Sequence, residues 1–505
     1  MTGTLEHLDP TTLHLADNVR DDAALDANFL ASVAEHGVLQ PVTAVRAADD
    51  RIEVRDGQRR TLAARHAGLS TIPVYVLDAT GTDTAARITH QMVTNDHRTP
   101  LTDAQRATGI TQMLLSGVSV AKVAKALSMG RDTVTAARTA TASTAARTAL
   151  QAGQLSLTEA AALAEFDDDP AAVQRLLEAA GQSTFDHRVA QVRQDRESAR
   201  ARAVAEKCYA DAGFAIFPEH PEWRDTNRVL LRHLRTADGR QVTTDAVTDP
   251  VRWAVVLVEN AVLVDATTGE TVDHAEVDWT TQRHPDRDAA AGTRHARSVV
   301  EQTVWEPDYY CLDPAGCGLT LAEFLLRQRS GSHAGPDHTD GDADAARAER
   351  RKVLTLNKLG LAAQEVRRAF VRDTLVSRNT PPKGSAVFVA GCLERGPGLL
   401  AEHGGRQLLG ELLGLCGATV RDAVDQLTGD ARAQVLLLAM VLAALEGRTP
   451  KDAWRCTAGQ YTPAPGPADY LRFLAGHGYP LSDVERIVTG ERTADDVHRD
   501  ATATD

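Results

Sequence analysis

The chain has 505 residues, more than one ordinary hydrophobic core can hold, and this length predicts two to four domains. Apolar residues make up 43% of it, but no apolar run approaches the roughly 18 residues that a membrane span needs. The opening residues lack the pattern of a signal segment, so we expect a cytoplasmic protein with no membrane partner. The net charge of −14 by itself argues against nucleic acid binding, because such binding depends on neutralising phosphates. A DNA-binding role would need a locally basic patch.

The first hundred residues alternate helical and extended patterns. The apolar spacing predicts a helix over 26–36 that ends at Gly37, strands over 42–45 and 52–54 around a turn at 47–50, a helix after Gly57, and a strand over 72–76. This alternation is typical of a small domain in which helices cover a sheet. We therefore expect an α+β domain over 1–100.

The second of these helices begins within the sequence VRDGQRRTLAARHAG, residues 54–68. Gly57 permits a sharp turn and a close approach of the backbone to a ligand, and the N–H groups that follow favour an anion. Arg59 and Arg60 oppose the helix macrodipole unless an anion lies between them, and they could neutralise several phosphate oxygens. The alternative is a solvated pair of surface arginines.

Nearly all of residues 102–211 have a helical pattern, and 118–138 have the spacing of a helix-turn-helix. In this interpretation Ala124 lies inside the first helix, 128–130 form the turn, and Val134 anchors the second helix. The candidate DNA contacts are polar side chains of the two helices: Arg131, Asp132, Thr133 and Thr135 for base edges, and Lys122, Lys125 and Arg138 for phosphates. The alternative is an ordinary helical hairpin with a solvated basic face.

Beyond residue 211 the sequence predicts elements but no function. Two apolar runs, 253–258 and 261–264, predict a hairpin around Glu259 and Asn260. Low hydrophobicity predicts a linker over 330–345, and the apolar run 435–445 predicts a buried helix. The expected domains are the α+β domain, an all-α helix-turn-helix domain over 101–211, an α/β domain over 212–329, the linker, and a mainly helical region over 346–505.

Three motifs, in order and at plausible spacing, resemble those of the ParB chromosome and plasmid partition proteins. They are SVAEHGVLQP at 32–41, the Gly-x-Arg-Arg run at 57–60, and VTNDHRTPLT at 93–102. The helix-turn-helix follows them, and GQLSL at 153–157 is similar to the segment that comes next in that family. The resemblance covers about residues 10–165. It implies a CTP-dependent DNA clamp that acts in plasmid or chromosome segregation.

The resemblance also implies roles for individual residues. Gly37 and Gln40 would line the nucleotide pocket, and Gly57, Arg59 and Arg60 would hold the phosphates of CTP. Asn95 would help to bind magnesium, with Arg98 nearby. Two positions depart from the family, since Gln58 and Thr94 stand where it has glutamates. A hydroxyl neither neutralises a metal nor orients water as a carboxylate does, so we expect CTP binding with at most slow hydrolysis.

The partners implied by the resemblance are an inverted-repeat site on double-stranded DNA and a ParA-like ATPase. It also implies a homodimer, whose interface we place in the C-terminal region around 354–372 or 408–445. Two alternatives stay open: a helix-turn-helix transcriptional regulator without a nucleotide switch, and a phosphotransfer or nuclease enzyme on the same fold. A sulfiredoxin-like enzyme is excluded, because it needs a cysteine near the Gly-x-Arg-Arg run and none occurs before Cys208.

Overall fold

A computed structural model describes residues 3–15, 27–47, 50–77, 101–222, 225, 227–283, 287–323, 325–326, 338–401, 403–415, 420–427, 429–455 and 465–503. The chain divides into two compact units, residues 1–189 and 190–505. The division lies inside a long helix, Phe185–Asp211, rather than at residue 211, where the sequence suggested the end of the second domain.

The first unit opens with a five-stranded mixed sheet. Its strands are β1 (Gly3–Leu8), β2 (His14–Leu15), β3 (Val42–Arg46), β4 (Ile52–Asp56) and β5 (Ile72–Leu77). Their order across the sheet is β1-β5-β3-β4-β2. The central pair β3 and β5 is parallel, whereas β1–β5 and β3–β4 are antiparallel. The strands and helices predicted for this region are all present.

Two helices cover this sheet, α1 (Ala27–His36) and α2 (Gln58–His66). Alternate residues of the strands are buried, among them Val42, Ala44 and Val74, as the two-residue period of a half-buried strand requires. Val33 of α1 and Ala63 of α2 are buried in the same core. The start of α2 is therefore anchored beside the end of β4.

The rest of the first unit is helical within its described residues. The helices are α3 (Asp103–Leu115), α4 (Val120–Ala126), α5 (Arg131–Ala142), α6 (Thr144–Gln151), α7 (Leu157–Leu163), α8 (Pro170–Glu178) and α9 (Phe185–Asp211), which continues into the second unit. Side-chain caps set the helix starts: Thr102 and Ser156 form capping boxes, and Ser143 and Asp169 accept hydrogen bonds from the first turns that follow them.

The second unit contains nine strands among its described residues. They are β6 (Ala215–Ile216), β7 (Val229–Leu230), β8 (Leu234–Arg235), β9 (Trp253–Asp265), β10 (Thr271–Val272), β11 (Val277–Asp278), β12 (Arg294–His295), β13 (Val299–Cys311) and β14 (Thr320–Leu321). The two long strands, β9 and β13, pair antiparallel along their whole length.

The predicted hairpin at 253–264 is wrong, because β9 is one continuous strand through Glu259 and Asn260. A two-residue hairpin turn needs backbone with positive φ, which neither residue has. Both polar side chains instead have long-range partners. Asn260 Nδ2 donates to Glu306 of β13 at 2.6 Å, and the Glu259 carboxylate pairs with Lys358 at 2.6 Å.

The helices of the second unit, besides the rest of α9, pack mainly in its C-terminal part. They are α10 (Thr280–Arg283), α11 (His338–Phe370), α12 (Ser385–Arg395), α13 (His403–Leu412), α14 (Val420–Asp425), α15 (Asp430–Gly447), α16 (Pro467–Ala475), α17 (Asp483–Thr489) and α18 (Ala494–Ala503). The apolar run 435–445 is a buried helix, as predicted, and forms most of α15. Across the described part of the chain, no helix combines the length and apolar character needed to span a membrane.

The linker predicted over 330–345 overlaps α11, which already begins at His338. Alanine is the strongest helix former. Four alanines in the sequence HTDGDADAARAE, 338–349, favour a helix although the composition is hydrophilic.

Candidate functional site

The first candidate site is the turn from β4 into α2. Gly57 lies at the N-cap of α2 with φ of 100°, a left-handed conformation that glycine adopts without strain. A Cβ atom at this position would approach the Arg60 side chain and Val42 Cγ2 to 3.1 Å. No side chain among the described residues caps α2, and its first turn has no acidic residue. The start of α2 thus has the positive end of the helix macrodipole without a side-chain cap, which suits an anion.

Arg60 connects this turn to the Gln40–Pro41 segment. Its Nη1 donates to the backbone oxygens of Gln40 and Pro41, each at 2.7 Å, and its Nη2 donates to the Asp56 carboxylate at 3.1 Å. Only 16% of the Arg60 side chain is exposed. The guanidinium therefore fixes the 40–41 backbone beside the start of α2, and the motifs at 32–41 and 57–60 meet in space.

Arg59 has a different environment from its neighbour. Its side chain is exposed, and its Cζ lies 5.0 Å from the ring centroid of Phe29 in α1. A guanidinium over an aromatic face is attracted to the ring. Of the two arginines, Arg59 is the one whose charge is accessible to a ligand from solvent.

Gly37 ends α1 with φ of 71°, and its N–H donates to Val33 O at 3.0 Å. Gln40 follows in an exposed position, so its amide is accessible. The 37–41 segment thus begins with a glycine in the left-handed conformation and ends at the two carbonyl groups that Arg60 contacts.

Three residues of this region were not predicted from the sequence. Asp56 accepts from Arg60, Phe29 lies under Arg59, and Arg65 Nε donates to Pro10 O at 2.8 Å. Asp56 could have been found, because Asp and Arg four residues apart are close when a helix turn begins between them. Phe29 and the Pro10 carbonyl could not, since only the fold brings them near α2.

Asn95 and Arg98, and with them the predicted magnesium ligand, lie outside the described residues, as does Thr94. Among the residues that are described, no group of three or more His, Cys, Asp or Glu side chains could hold a metal ion.

The second candidate site is the pair of helices α4 and α5. The turn between them passes through Ser128, whose φ is 53°, and Met129 N donates back to Ala124 O at 3.0 Å. Val123, Ala124 and Val134 are buried, so the small Ala124 and the anchor Val134 have the positions that the sequence predicted. Two short helices joined by a tight turn have the geometry of a helix-turn-helix.

The polar residues predicted to contact DNA lie on the outer side of these helices. Six are exposed, namely Lys122, Lys125, Arg131, Asp132, Thr135 and Arg138, and Thr133 is half-buried. Lys122, Lys125 and Arg131 also border one surface depression. Four cations against one carboxylate make this face basic in a chain of net charge −14. This face is the locally basic patch that a chain of negative net charge would need in order to bind DNA.

Comparison with known proteins supports the resemblance to ParB proteins that the three motifs suggested. Residues 4–95 match the family model of the ParB N-terminal domain. A probable chromosome-partitioning protein ParB of Treponema pallidum is 34% identical over 136 residues, covering 26% of this chain and 41% of that protein. A probable chromosome 1-partitioning protein ParB of Deinococcus radiodurans is 36% identical over 138 residues, covering 27% of this chain and 46% of that protein.

A solved structure is also similar, that of the C-terminally truncated chromosome-partitioning protein ParB from Caulobacter crescentus complexed to the centromeric parS site. The likeness is distant, with 21% identity and a TM-score of 0.26 over 34% of this chain and 92% of that one. The chain spans less than half the length of the two curated relatives, 41% and 46%. The match to the family model lies in the first unit and contains both the Gln40–Pro41 segment and the 57–60 turn. The similarity of this chain to ParB proteins is therefore shown over residues 4–95, the range that matches the family model.

Proposed function

We propose that this chain is a DNA-binding partition protein in which CTP binding by the N-terminal domain controls a clamp on DNA. The observation that carries the proposal is the joining of two ParB-like motifs at one helix start. Arg60 donates hydrogen bonds to the 40–41 backbone, Gly57 forms the turn before α2, and the N-terminus of α2 that follows it has no side-chain cap. Such a helix start suits an anion, and a triphosphate is the anion implied by the family.

Within this site the residues have separate tasks. The α2 backbone and the exposed Arg59 would contact phosphates directly, whereas Arg60 acts as a positioning residue that keeps the 37–41 segment in place. Gly37 and Gln40 would border the rest of the nucleotide. Asp56 does not oppose phosphate binding by its charge, because it is already paired with Arg60 at 3.1 Å.

Magnesium would accompany the triphosphate, since a hard cation held by few protein oxygens and by phosphates is the usual arrangement. Asn95 would supply a protein oxygen, with Arg98 nearby. Because Thr94 and Gln58 replace glutamates of the family, we propose that CTP acts mainly by being bound and that hydrolysis is slow.

The helix-turn-helix supplies the DNA contacts of the proposal. Arg131, Asp132, Thr133 and Thr135 would reach base edges from the start of α5, and Lys122, Lys125 and Arg138 would meet phosphates. An inverted-repeat site on double-stranded DNA would be read by a homodimer. A ParA-like ATPase would be the partner that moves the complex.

Calorimetric titration of the full chain with CTP, ATP and GTP, with and without DNA, tests the proposal. We expect CTP to bind more tightly than either purine nucleotide and to change the DNA affinity. Absence of all nucleotide binding together with sequence-specific DNA binding would favour a plain transcriptional regulator. Transfer of phosphate to another molecule, or cleavage of DNA, would favour an enzyme on the same fold.

A further inference from the structure

The second unit contains a cavity that is separate from both candidate sites. Its volume is about 410 Å³, and it lies between strands β9 and β13 on one side and helices α11 and α18 on the other. Leu257, Val258 and Leu354 give it apolar walls. The volume lies in the range of about 300–1,000 Å³ that is typical of small-molecule sites.

Two buried polar atoms at this cavity have no hydrogen-bond partner among the described residues. They are Trp305 Nε1 on β13 and His498 Nδ1 on α18. An indole Nε1–H can only donate, and an imidazole nitrogen donates or accepts according to its tautomer. Buried polar groups are paired in the great majority of cases, so two unpaired ones at one cavity indicate a ligand that carries at least one acceptor atom.

The charges at the cavity favour an anion. Lys358 and Glu259 neutralise each other as an ion pair at 2.6 Å, whereas Arg351 has no ion pair in the part of the chain that the structure describes. Arg351 is exposed at the edge of the cavity, one turn of α11 before Leu354 and Thr355. The uncompensated charge is therefore positive.

The same ion pair also holds a serine of α9. Lys358 Nζ donates to Ser198 Oγ at 3.1 Å and pairs with the Glu259 carboxylate at 2.6 Å, and Ser198 Oγ donates to that carboxylate at 3.4 Å. These three side chains are thus joined to one another.

We propose that this cavity binds a small organic anion with an apolar body. The apolar part lies between Leu257 and Leu354, an acceptor atom receives the Trp305 Nε1–H, and the negative group pairs with Arg351. Thr502 and Thr355, which also line the cavity, offer hydroxyls to the same ligand. This site does not depend on the proposed CTP and DNA functions of the first unit.

The test compares two probes of the same shape on the full chain by calorimetric titration, the anion 2-naphthoate and the neutral 2-naphthamide. We expect 2-naphthoate to bind and 2-naphthamide to bind more weakly. Arg351→Gln should reduce the affinity for 2-naphthoate by roughly tenfold or more and leave 2-naphthamide unchanged. Trp305→Phe, which keeps an aromatic ring beneath Arg202 but loses the donor, should weaken both probes.

Arg350→Gln is the matched control, since Arg350 is an exposed arginine on the same helix that does not border the cavity. It should bind both probes as the unmodified chain does. Thermal unfolding of each variant identifies any that fail to fold, and Arg351→Gln alters only an exposed side chain. Absence of binding at millimolar 2-naphthoate, or equal binding by Arg351→Gln and the unmodified chain, would overturn the proposal.

Discussion

Arg59 and Arg60 are adjacent in the sequence but have different surroundings. The Arg60 guanidinium is engaged by two backbone oxygens and one carboxylate, whereas Arg59 lies exposed over Phe29. Removing Arg60 leaves the Gln40 and Pro41 carbonyls without this donor. Removing Arg59 takes away an accessible charge. The two substitutions should therefore differ in their effect on stability even if both weaken nucleotide binding.

We predict that Arg59→Ala weakens CTP binding by about tenfold to a hundredfold, because a hydrogen bond to a charged group contributes roughly 1.5–3 kcal/mol. Arg60→Ala should weaken it as well, because the Gln40–Pro41 backbone loses the side chain that positions it. Only Arg60→Ala should also lower the unfolding temperature of the first unit. Sequence-specific DNA binding should stay nearly intact in both. Calorimetry with CTP and thermal unfolding measure the two effects, with Arg51→Ala, in the β3–β4 turn, as the control. Unchanged CTP affinity in both variants would remove the phosphate role.

Substitutions of Arg131 and Lys125 distinguish side chains that contact DNA bases from side chains that contact phosphates. If Arg131 at the start of α5 contacts a base, Arg131→Ala should cost about 1–3 kcal/mol on the cognate site and little on random DNA. Lys125→Ala should weaken binding to both DNAs alike and reduce its salt dependence. Fluorescence anisotropy on the two DNAs at several salt concentrations gives these values. Equal losses for Arg131→Ala on both DNAs would place Arg131 on the backbone.

Arg367 is a residue of the second unit for which the structure predicts a large effect on stability. Its side chain is 2% exposed and pairs with Glu446 at 2.6 Å and with Glu485 at 2.8 Å. Burial alone would lower the pKa of Arg367, but the two carboxylates outweigh it and raise the pKa well above its usual value. The guanidinium is therefore charged, and both carboxylates depend on it.

We predict that Arg367→Ala lowers the free energy of unfolding of the second unit by about 3–5 kcal/mol, since it leaves two buried carboxylates without this cation. Arg368→Ala is the matched control: that side chain is 28% exposed and also pairs with Glu446, at 3.0 Å. It should cost less than about 1 kcal/mol. Denaturant unfolding measures both. A loss for Arg367→Ala no larger than that for Arg368→Ala would contradict this account of the network.

At the scale of the elements, one helix cap of the first unit also joins two helical segments. Glu159 closes the capping box of α7 by accepting from Ser156 N at 2.8 Å, and its other oxygen accepts from Gly181 N at 2.9 Å. Burial alone would raise the pKa of Glu159, but these hydrogen bonds outweigh it and lower the pKa below its usual value. One carboxylate thus joins α7 to the segment after α8.

A carboxyl whose pKa is lower in the folded state contributes its full stability above its unfolded pKa. That contribution is lost as the pH falls through the folded value. We therefore expect the first unit to lose stability below about pH 4.5, with Glu159 contributing to the slope. Glu159→Gln should be less stable near neutral pH and show a shallower loss in acid. Thermal unfolding from pH 7 to pH 3 measures this, and an unchanged slope would show that other carboxylates dominate.

At the scale of the whole molecule, the structure changes where a dimer interface can be expected. The sequence suggested 354–372 or 408–445, but many apolar side chains of these segments are buried within the second unit itself. Leu356 of α11 and Leu438 and Leu442 of α15 are fully buried. Residues that already fill an intramolecular core cannot also cover a partner. The prediction of a homodimer stands, but these apolar faces do not supply its interface.

We predict a dimer at micromolar concentration in sedimentation, and we expect Leu437→Asp to leave it intact. Leu437 is 48% exposed on α15, so a charge there changes the outer face of the helix without entering the core. Dissociation of the dimer by Leu437→Asp would place the interface on α15 after all. If the unmodified chain sediments as a monomer, the proposed clamp has no second subunit with which to enclose DNA, and the prediction of a dimer is wrong.

The sequence by itself was sufficient to predict features that depend on residues close together in the chain. The 57–60 turn, the two short helices α4 and α5 and the buried run of α15 follow from glycine, capping residues and apolar spacing, which act within a few residues. The ParB-like motifs could be recognised for the same reason, because each is a short run around one turn or helix start.

Only the tertiary structure decided which distant groups meet. Arg60 is fixed by carbonyls about twenty residues earlier, and β9 continues through Glu259 because its partner strand and Lys358 lie far along the chain. The cavity beside Trp305 depends on α18 in the same way. Such contacts depend on how the chain closes on itself, and no local propensity encodes the identity of a partner that is tens or hundreds of residues away.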